Sequence, residues 1–108
     1  LPTKAEWETL FTAVGGTSKA GDMLKSTSGW YSGGNGIDEY EFSVLPAGYR
    51  DNDGDFNDEG YYAYFWSSTE VSGSYAWYMN FGCSYSDVYE HDSNNYNGFI
   101  VRCLKDFP

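Results

Sequence analysis

Near the start of the chain the apolar positions recur at helical spacing, with Trp7, Leu10, Phe11 and Val14 on one face. Thr3 and Glu6 form a Thr-x-x-Glu capping box just ahead of them, and Gly15-Gly16 supplies the stop. A shorter helix is expected from 18 to about 24, with Leu24-Lys25-Ser26 turning into a strand. Residues 28–38 are rich in Gly, Ser and Asn around Trp30 and Tyr31, a loop expected to anchor that aromatic pair in the core. Residues 42–45 (Phe-Ser-Val-Leu) then look like a short strand stopped by Pro46. After an acid-rich loop from 51 to 60, four strands separated by Gly, Ser and Asn are expected at 61–67, 75–81, 84–91 and 98–104.

Two helices followed by strands predict an α+β domain, with a small, mainly antiparallel sheet and much of the length in loops. Alternation sorts the faces of its strands. Tyr75, Trp77, Met79 and Phe81 form the more apolar set, which leaves Ala76, Tyr78 and Asn80 on the other side. In 84–91, Val88 shares parity with Ser84, Ser86 and Glu90, whereas Tyr85, Asp87, Tyr89 and His91 share the opposite face. With Val88 inward, Tyr78, Asn80, Tyr85, Asp87, Tyr89 and His91 form a polar-aromatic ridge, extended by Asn94, Asn95 and Tyr96 in the loop that follows. Tyrosine offers a large amphipathic contact at low rotamer cost, and Ser, Asn and Gly offer adaptable hydrogen bonding, which is the chemistry of a recognition surface.

The chain has 108 residues, enough for one domain with a single core. Sixteen Asp and Glu against six Lys and Arg give a formal net charge of -10. Such a surface repels phosphate backbones and anionic headgroups, so neither nucleic acid nor membrane is an expected partner. No apolar run approaches the roughly 20 residues needed to span a bilayer, so this domain is not expected to insert in one. Nor does the start have the basic-then-apolar form of a signal peptide. The abrupt Leu1-Pro2 opening leads us to expect a domain cut from a longer protein.

Several segments, in order, carry a resemblance. They are Leu1-Pro2-Thr3 with Ala5-Glu6-Trp7, Leu24-Lys25-Ser26 ahead of Gly29-Trp30, and Phe42-Ser43-Val44-Leu45-Pro46-Ala47-Gly48-Tyr49-Arg50. Further along come Trp66-Ser67-Ser68-Thr69-Glu70, Ala76-Trp77-Tyr78, and Gly98-Phe99-Ile100-Val101-Arg102-Cys103. Together they resemble the Fibrobacter succinogenes major paralogous domain, over nearly the whole chain. That resemblance implies a C-type lectin-like fold, shared with the formylglycine-generating enzyme group. It also implies residence on secreted or surface-anchored bacterial proteins at the outer membrane or pilus, and adhesin-like binding of a host or bacterial surface protein or glycan. Related domains are targets of diversity-generating retroelements that rewrite a C-terminal binding surface.

Three constellations bear on chemistry. The loop Asp51-Asn52-Asp53-Gly54-Asp55-Phe56-Asn57-Asp58-Glu59 alternates oxygen ligands as an EF-hand does, with Phe56 where the turn glycine belongs and Tyr62 where the bidentate Glu belongs. Calcium held by Asp51, Asp53, Asp55 and Asp58 is one expectation, and a solvated acidic turn the other. His91 is the single histidine, and no zinc or nucleophile spacing accompanies it. The formylglycine-generating relatives work through paired, copper-binding cysteines, but Cys83 and Cys103 suit a buried thiol or a structural disulfide better, and no enzyme is expected. The sugar-binding motifs Glu-Pro-Asn, Gln-Pro-Asp and Trp-Asn-Asp do not occur, so the fold implies no mannose or galactose site. The expected function is ligand recognition without catalysis. The alternative is a calcium-stabilised carbohydrate-binding module in which Trp30, Tyr31 and neighbouring aromatics stack on sugars.

Overall fold

A computed structural model describes residues 1–104 of the chain; the end of the expected domain, 105–108, lies outside the described residues. Helix α1 is Lys4–Ala13 and opens as its sequence dictates. The Thr3 hydroxyl accepts from the Glu6 N–H at 3.1 Å, and the Thr3 N–H donates to Glu6 Oε1 at 2.9 Å. At the other end Gly16 N–H reaches back to the Phe11 carbonyl at 2.8 Å and Gly15 N–H to Thr12 at 3.2 Å. That closure needs Gly15 at φ +114°, where a Cβ would be strained. Helix α2, Thr17–Leu24, follows at once.

The strands form two antiparallel sheets. β1 (Tyr49–Arg50) pairs with β2 (Phe56–Asn57), while β3 (Tyr62–Ser72), β4 (Tyr75–Gly82) and β5 (Tyr89–Asn94) form a meander in that order. This is an α+β architecture. α1 and α2 cover one face of the larger sheet. Trp7 lies 5.4 Å from Phe65 and Phe11 6.2 Å from Phe81, centroid to centroid, with Leu24, Trp30, Val44, Met79 and Val88 completing the core. Burying side chains of this size contributes about 1.5–3 kcal/mol each, and that outweighs the weak helix propensity of so short an α1. Among the described residues no helix is long and apolar enough to cross a membrane.

Several expected elements come out differently. Residues 42–45 form no strand: Glu41 and Ser43 sit at φ +57° and +56°, and the Asp38 carboxylate captures both the Ser43 N–H (2.8 Å) and its hydroxyl (2.6 Å). Only Val44 pairs, as a single bridge to Lys25, so the strand expected after α2 is one residue deep. The strand expected at 84–91 begins at Tyr89. Its first half is held by helix ends instead, through Ser86 Oγ–H to the Ser18 carbonyl (3.0 Å) and Val88 N–H to Thr17 (2.9 Å). Gly21 permits this, since a Cβ there would overlap the Ser86 carbonyl. Residues 98–104 supply bridges, Arg50 to Gly98 and Phe65 to Ile100, rather than a strand. β3 continues to Ser72 across register shifts, and β2 lies inside the expected acidic loop. Tyr31, expected in the core with Trp30, is exposed and packs at a tilt against Tyr61, with ring centroids 4.7 Å apart. Cys83 and Cys103 are free thiols.

Candidate functional site

The face of the β3–β4–β5 sheet opposite the helices is lined with aromatic side chains. Register puts Tyr64 opposite Asn80, Trp66 opposite Tyr78, Tyr78 opposite His91 and Asn80 opposite Tyr89, so one parity class from three strands shares this face. Phe99 lies over one end of it, with its ring centroid 4.4 Å from Trp66, 4.8 Å from Tyr78 and 5.1 Å from Tyr64. Tyr49, from β1, closes against both Tyr64 and Phe99. The lid is positioned by the Phe65–Ile100 bridge, in which Ile100 N–H donates to Tyr64 (2.8 Å) and Trp66 N–H to Ile100 (3.1 Å).

Toward β5 the layer continues uncovered. Tyr78 packs against His91 at 5.8 Å, His91 stacks with Tyr89 at 6.3 Å, and Tyr89 meets Tyr85 edge-on at 4.9 Å. The Tyr85 ring rests where Gly82 has no side chain, and a Cβ at Gly82 would overlap that ring. Its hydroxyl donates to Asn80 Oδ1. The backbone of this turn is held by Lys25, whose ammonium donates to the carbonyls of Gly82 (3.0 Å) and Tyr85 (3.2 Å) from a position 1% exposed.

The structure therefore gathers Tyr78, Asn80, Tyr85, Tyr89 and His91, as parity indicates. Their roles differ with depth. Asn80 is 8% exposed and lies beneath the surface as the acceptor for Tyr85. Tyr78 and Tyr85 are half-buried, while Tyr89 and His91 face solvent. Asp87 falls in the segment packed on α2, outside the ladder. Asn94 Oδ1 accepts from Tyr96 N–H (3.1 Å), Asn95 N–H donates to Ser74 (2.8 Å), and Tyr96 projects from the resulting turn at 70% exposure. Tyr49, Tyr64, Trp66 and Phe99 belong to the layer although the sequence pattern does not single them out. In β3 both parities carry aromatics, so period-two sorting is silent there.

Burial raises the pKa of Tyr78, with the nearby Asp92 charge adding to it. Burial likewise raises Tyr85, and it raises Tyr64, whose hydroxyl also donates to Asp58 Oδ2 at 2.7 Å. These phenols stay neutral at physiological pH. They can give and take hydrogen bonds and present ring faces, but they are not bases.

In the acidic loop Asp51 is the hub. Its Oδ1 accepts from the N–H groups of Asp53 (2.9 Å) and Asp55 (3.0 Å), and Oδ2 accepts from Asn57 Nδ2 (3.0 Å). The Asp55 N–H is the chief cause of its lowered pKa. Asp58 is engaged by Tyr64. Backbone and amide donors thus engage both carboxylate oxygens of Asp51. Among the described residues no three His, Cys, Asp or Glu side chains converge as metal ligands.

On the helix side, Lys4 lies 3.1 Å from Glu8, 3.4 Å from Glu90 and 4.9 Å above the Trp77 ring, fastening α1 to β4 and β5. Burial raises the Glu90 pKa, as does the neighbouring Glu8 carboxylate, and Lys4 opposes both.

Against known proteins, the model of the Fibrobacter succinogenes major domain matches residues 1–105. No curated protein and no solved structure matches.

Proposed function

The chain belongs to the Fibrobacter succinogenes major domain family, and from that premise we propose that it is a non-catalytic recognition domain that binds its ligand with the uncovered part of the aromatic layer. One observation carries this reading. Tyr89 and His91 are exposed side by side on β5, braced by Tyr78 and by Tyr85 with its acceptor Asn80, and Tyr96 is exposed in the turn beyond the strand. Exposed rings on a packed, hydrogen-bonded base lose little freedom on binding, which is what makes tyrosine an effective contact residue. Phenols held neutral by burial offer hydrogen bonds and ring faces to a ligand.

In this proposal the fold is C-type lectin-like and the domain is displayed on a bacterial surface, secreted or attached at the outer membrane or a pilus. The partner is a host or bacterial surface protein or a glycan, and a retroelement varies the exposed positions between copies. The acidic loop is a hairpin closed by its own hydrogen bonds, with calcium not required.

A second reading has its own observation. Tyr31, 57% exposed, packs against the exposed Tyr61 beside a shallow trough lined by Gly29, Pro46, Glu59 and Gly60, a surface suited to stacking on a sugar ring. In that carbohydrate-binding alternative Trp30 takes no part, because it is buried with its indole N–H donating to Ser26 and Val44.

Screening the purified domain against a glycan array and an array of purified surface proteins separates the two. Loss of a hit in Tyr89→Ala, with Tyr61→Ala unaffected, supports the sheet face. The reverse pattern transfers function to the trough.

A further inference from the structure

The two edges of the larger sheet are treated differently. On the β3 side, Pro2 accepts from Ser68 N–H (2.8 Å), Gly48 donates to Tyr62 (2.8 Å), and Ile100 bonds both Tyr64 and Trp66, so that edge is closed by other parts of the chain. On the β5 side, no backbone hydrogen bond among the described residues reaches the outer edge of Tyr89–Asn94.

The phase of that edge follows from one contact. Asn95 N–H donates to the Ser74 carbonyl, and bonded and non-bonded pairs alternate along an antiparallel ladder. With the register Ala76–Ser93, Tyr78–His91 and Asn80–Tyr89, the backbone groups of Ser93, His91 and Tyr89 turn inward to β4. Those of Glu90, Asp92 and Asn94 turn outward. Edges are protected by shortness, bulges, proline or charged side chains, and here charge is the one such device, in Glu90 and Asp92. β5 runs in unbroken register over six residues and contains neither glycine nor proline.

Charge selects among the occupants such an edge could take. Asp92 is exposed and has no salt bridge among the described residues, and Glu90 shares its single cation, Lys4, with Glu8. A second copy of this chain pairing edge to edge would set these carboxylates against their own copies, on two molecules of net charge -10. A cationic strand meets the opposite situation. We infer that β5 accepts an extended, Lys- or Arg-bearing peptide as a fourth strand, bonded to the outward amides and carbonyls of Glu90, Asp92 and Asn94. Cationic side chains of the peptide face Glu90 and Asp92, and the alternate side chains lie beside Tyr89 and His91 at the rim of the aromatic layer. The inference rests on the recognition function proposed above and names a peptide as its partner.

Amide hydrogen exchange read by NMR tests it, using a blocked octapeptide of alternating Lys and Val as the probe. In the free domain the amides of Glu90, Asp92 and Asn94 exchange faster than those of Tyr89, His91 and Ser93. Peptide addition slows the first three at least tenfold. Methylating alternate peptide nitrogens, those facing β5, abolishes the effect without changing charge, and Asp92→Asn or 0.5 M salt weakens binding several-fold. The inference is overturned if the probe fails to bind at millimolar concentration, if the three amides stay unprotected in its presence, or if the methylated peptide binds as well. It is also overturned if the free domain pairs with itself through this edge. A ligand that shifts Tyr89 and His91 side-chain signals while leaving the outward amides unprotected removes strand addition and keeps the recognition reading.

Discussion

Replacing Lys25 with Met removes a buried ammonium while keeping most of its apolar stem. In the native domain that ammonium donates to two carbonyls, lies 3.6 Å from Asp22, and sits 5.2 Å above the Trp30 ring. Each carbonyl left without a donor in a buried setting costs about 1–3 kcal/mol, and the lost cation–ring contact adds about 1–2 kcal/mol. Against this, the variant no longer desolvates a charge, which offsets several kcal/mol. The balance is a destabilisation of about 2–4 kcal/mol, a large share of the stability of a domain this size. At roughly 4–8 °C per kcal/mol the melting temperature falls by about 8–32 °C. Urea unfolding followed by tryptophan fluorescence measures it directly.

The pH dependence is diagnostic as well. Burial holds the Lys25 pKa below its ordinary 10.5, with the Asp22 charge opposing. Between the lowered value and 10.5 the unfolded chain binds more protons than the folded one, so wild-type stability rises with pH across that window, and the Met variant lacks that rise. A Lys25→Met variant within 0.5 kcal/mol of wild type would refute the claim that this ammonium holds the turn carrying Tyr85.

The remaining predictions are brief. Melting temperatures in millimolar calcium and in excess chelator agree to within about 1 °C, because Asp51 already accepts three hydrogen bonds from the protein; a rise of several degrees with calcium would establish the cation site. Glu90→Gln removes a carboxyl whose pKa lies above 4.5 in the folded state. There the folded state binds more protons, so wild-type stability falls as pH rises through the window above 4.5, and the variant's melting profile across about pH 4–7 is flatter than that of wild type. Gly21→Ala destabilises by more than the roughly 1 kcal/mol that helix propensity would add, since the new methyl meets the Ser86 and Asp87 carbonyls; a variant as stable as wild type in urea would show that α2 and the 84–88 segment are not in contact.

Where one local signal dominates, sequence reasoning found the element. The Thr3–Glu6 box and the Gly15-Gly16 stop bracket α1, and the alternation of Tyr75 to Phe81 places Met79 and Phe81 inside. It failed where tertiary contacts decide. Phe42 to Leu45 has strand composition, but Asp38 reaches across the loop to claim Ser43 and turns the backbone left-handed. Parity puts Tyr85 on the ridge, and it does lie beside Tyr89, yet the reason is the space left by Gly82, not a shared strand. Phe99 belongs to the Gly98–Cys103 segment that carries the family resemblance. Its position over Trp66 and Tyr78 depends on a parallel bridge between distant segments, which no local pattern reports.

The central claim is that ligand contact is made by the exposed aromatic side chains of β5 and the turn after it. The most direct measurement compares the dissociation constant of an array-identified ligand for wild type, Tyr89→Ala, His91→Ala and Tyr96→Ala with that for Phe56→Ala, which removes a 78% exposed ring from the β1–β2 hairpin. The account predicts at least tenfold loss, about 1.4 kcal/mol, in one or more of the first three variants at unchanged melting temperature, with Phe56→Ala at wild-type affinity. Wild-type affinity in all three, or loss confined to Phe56→Ala, would contradict it.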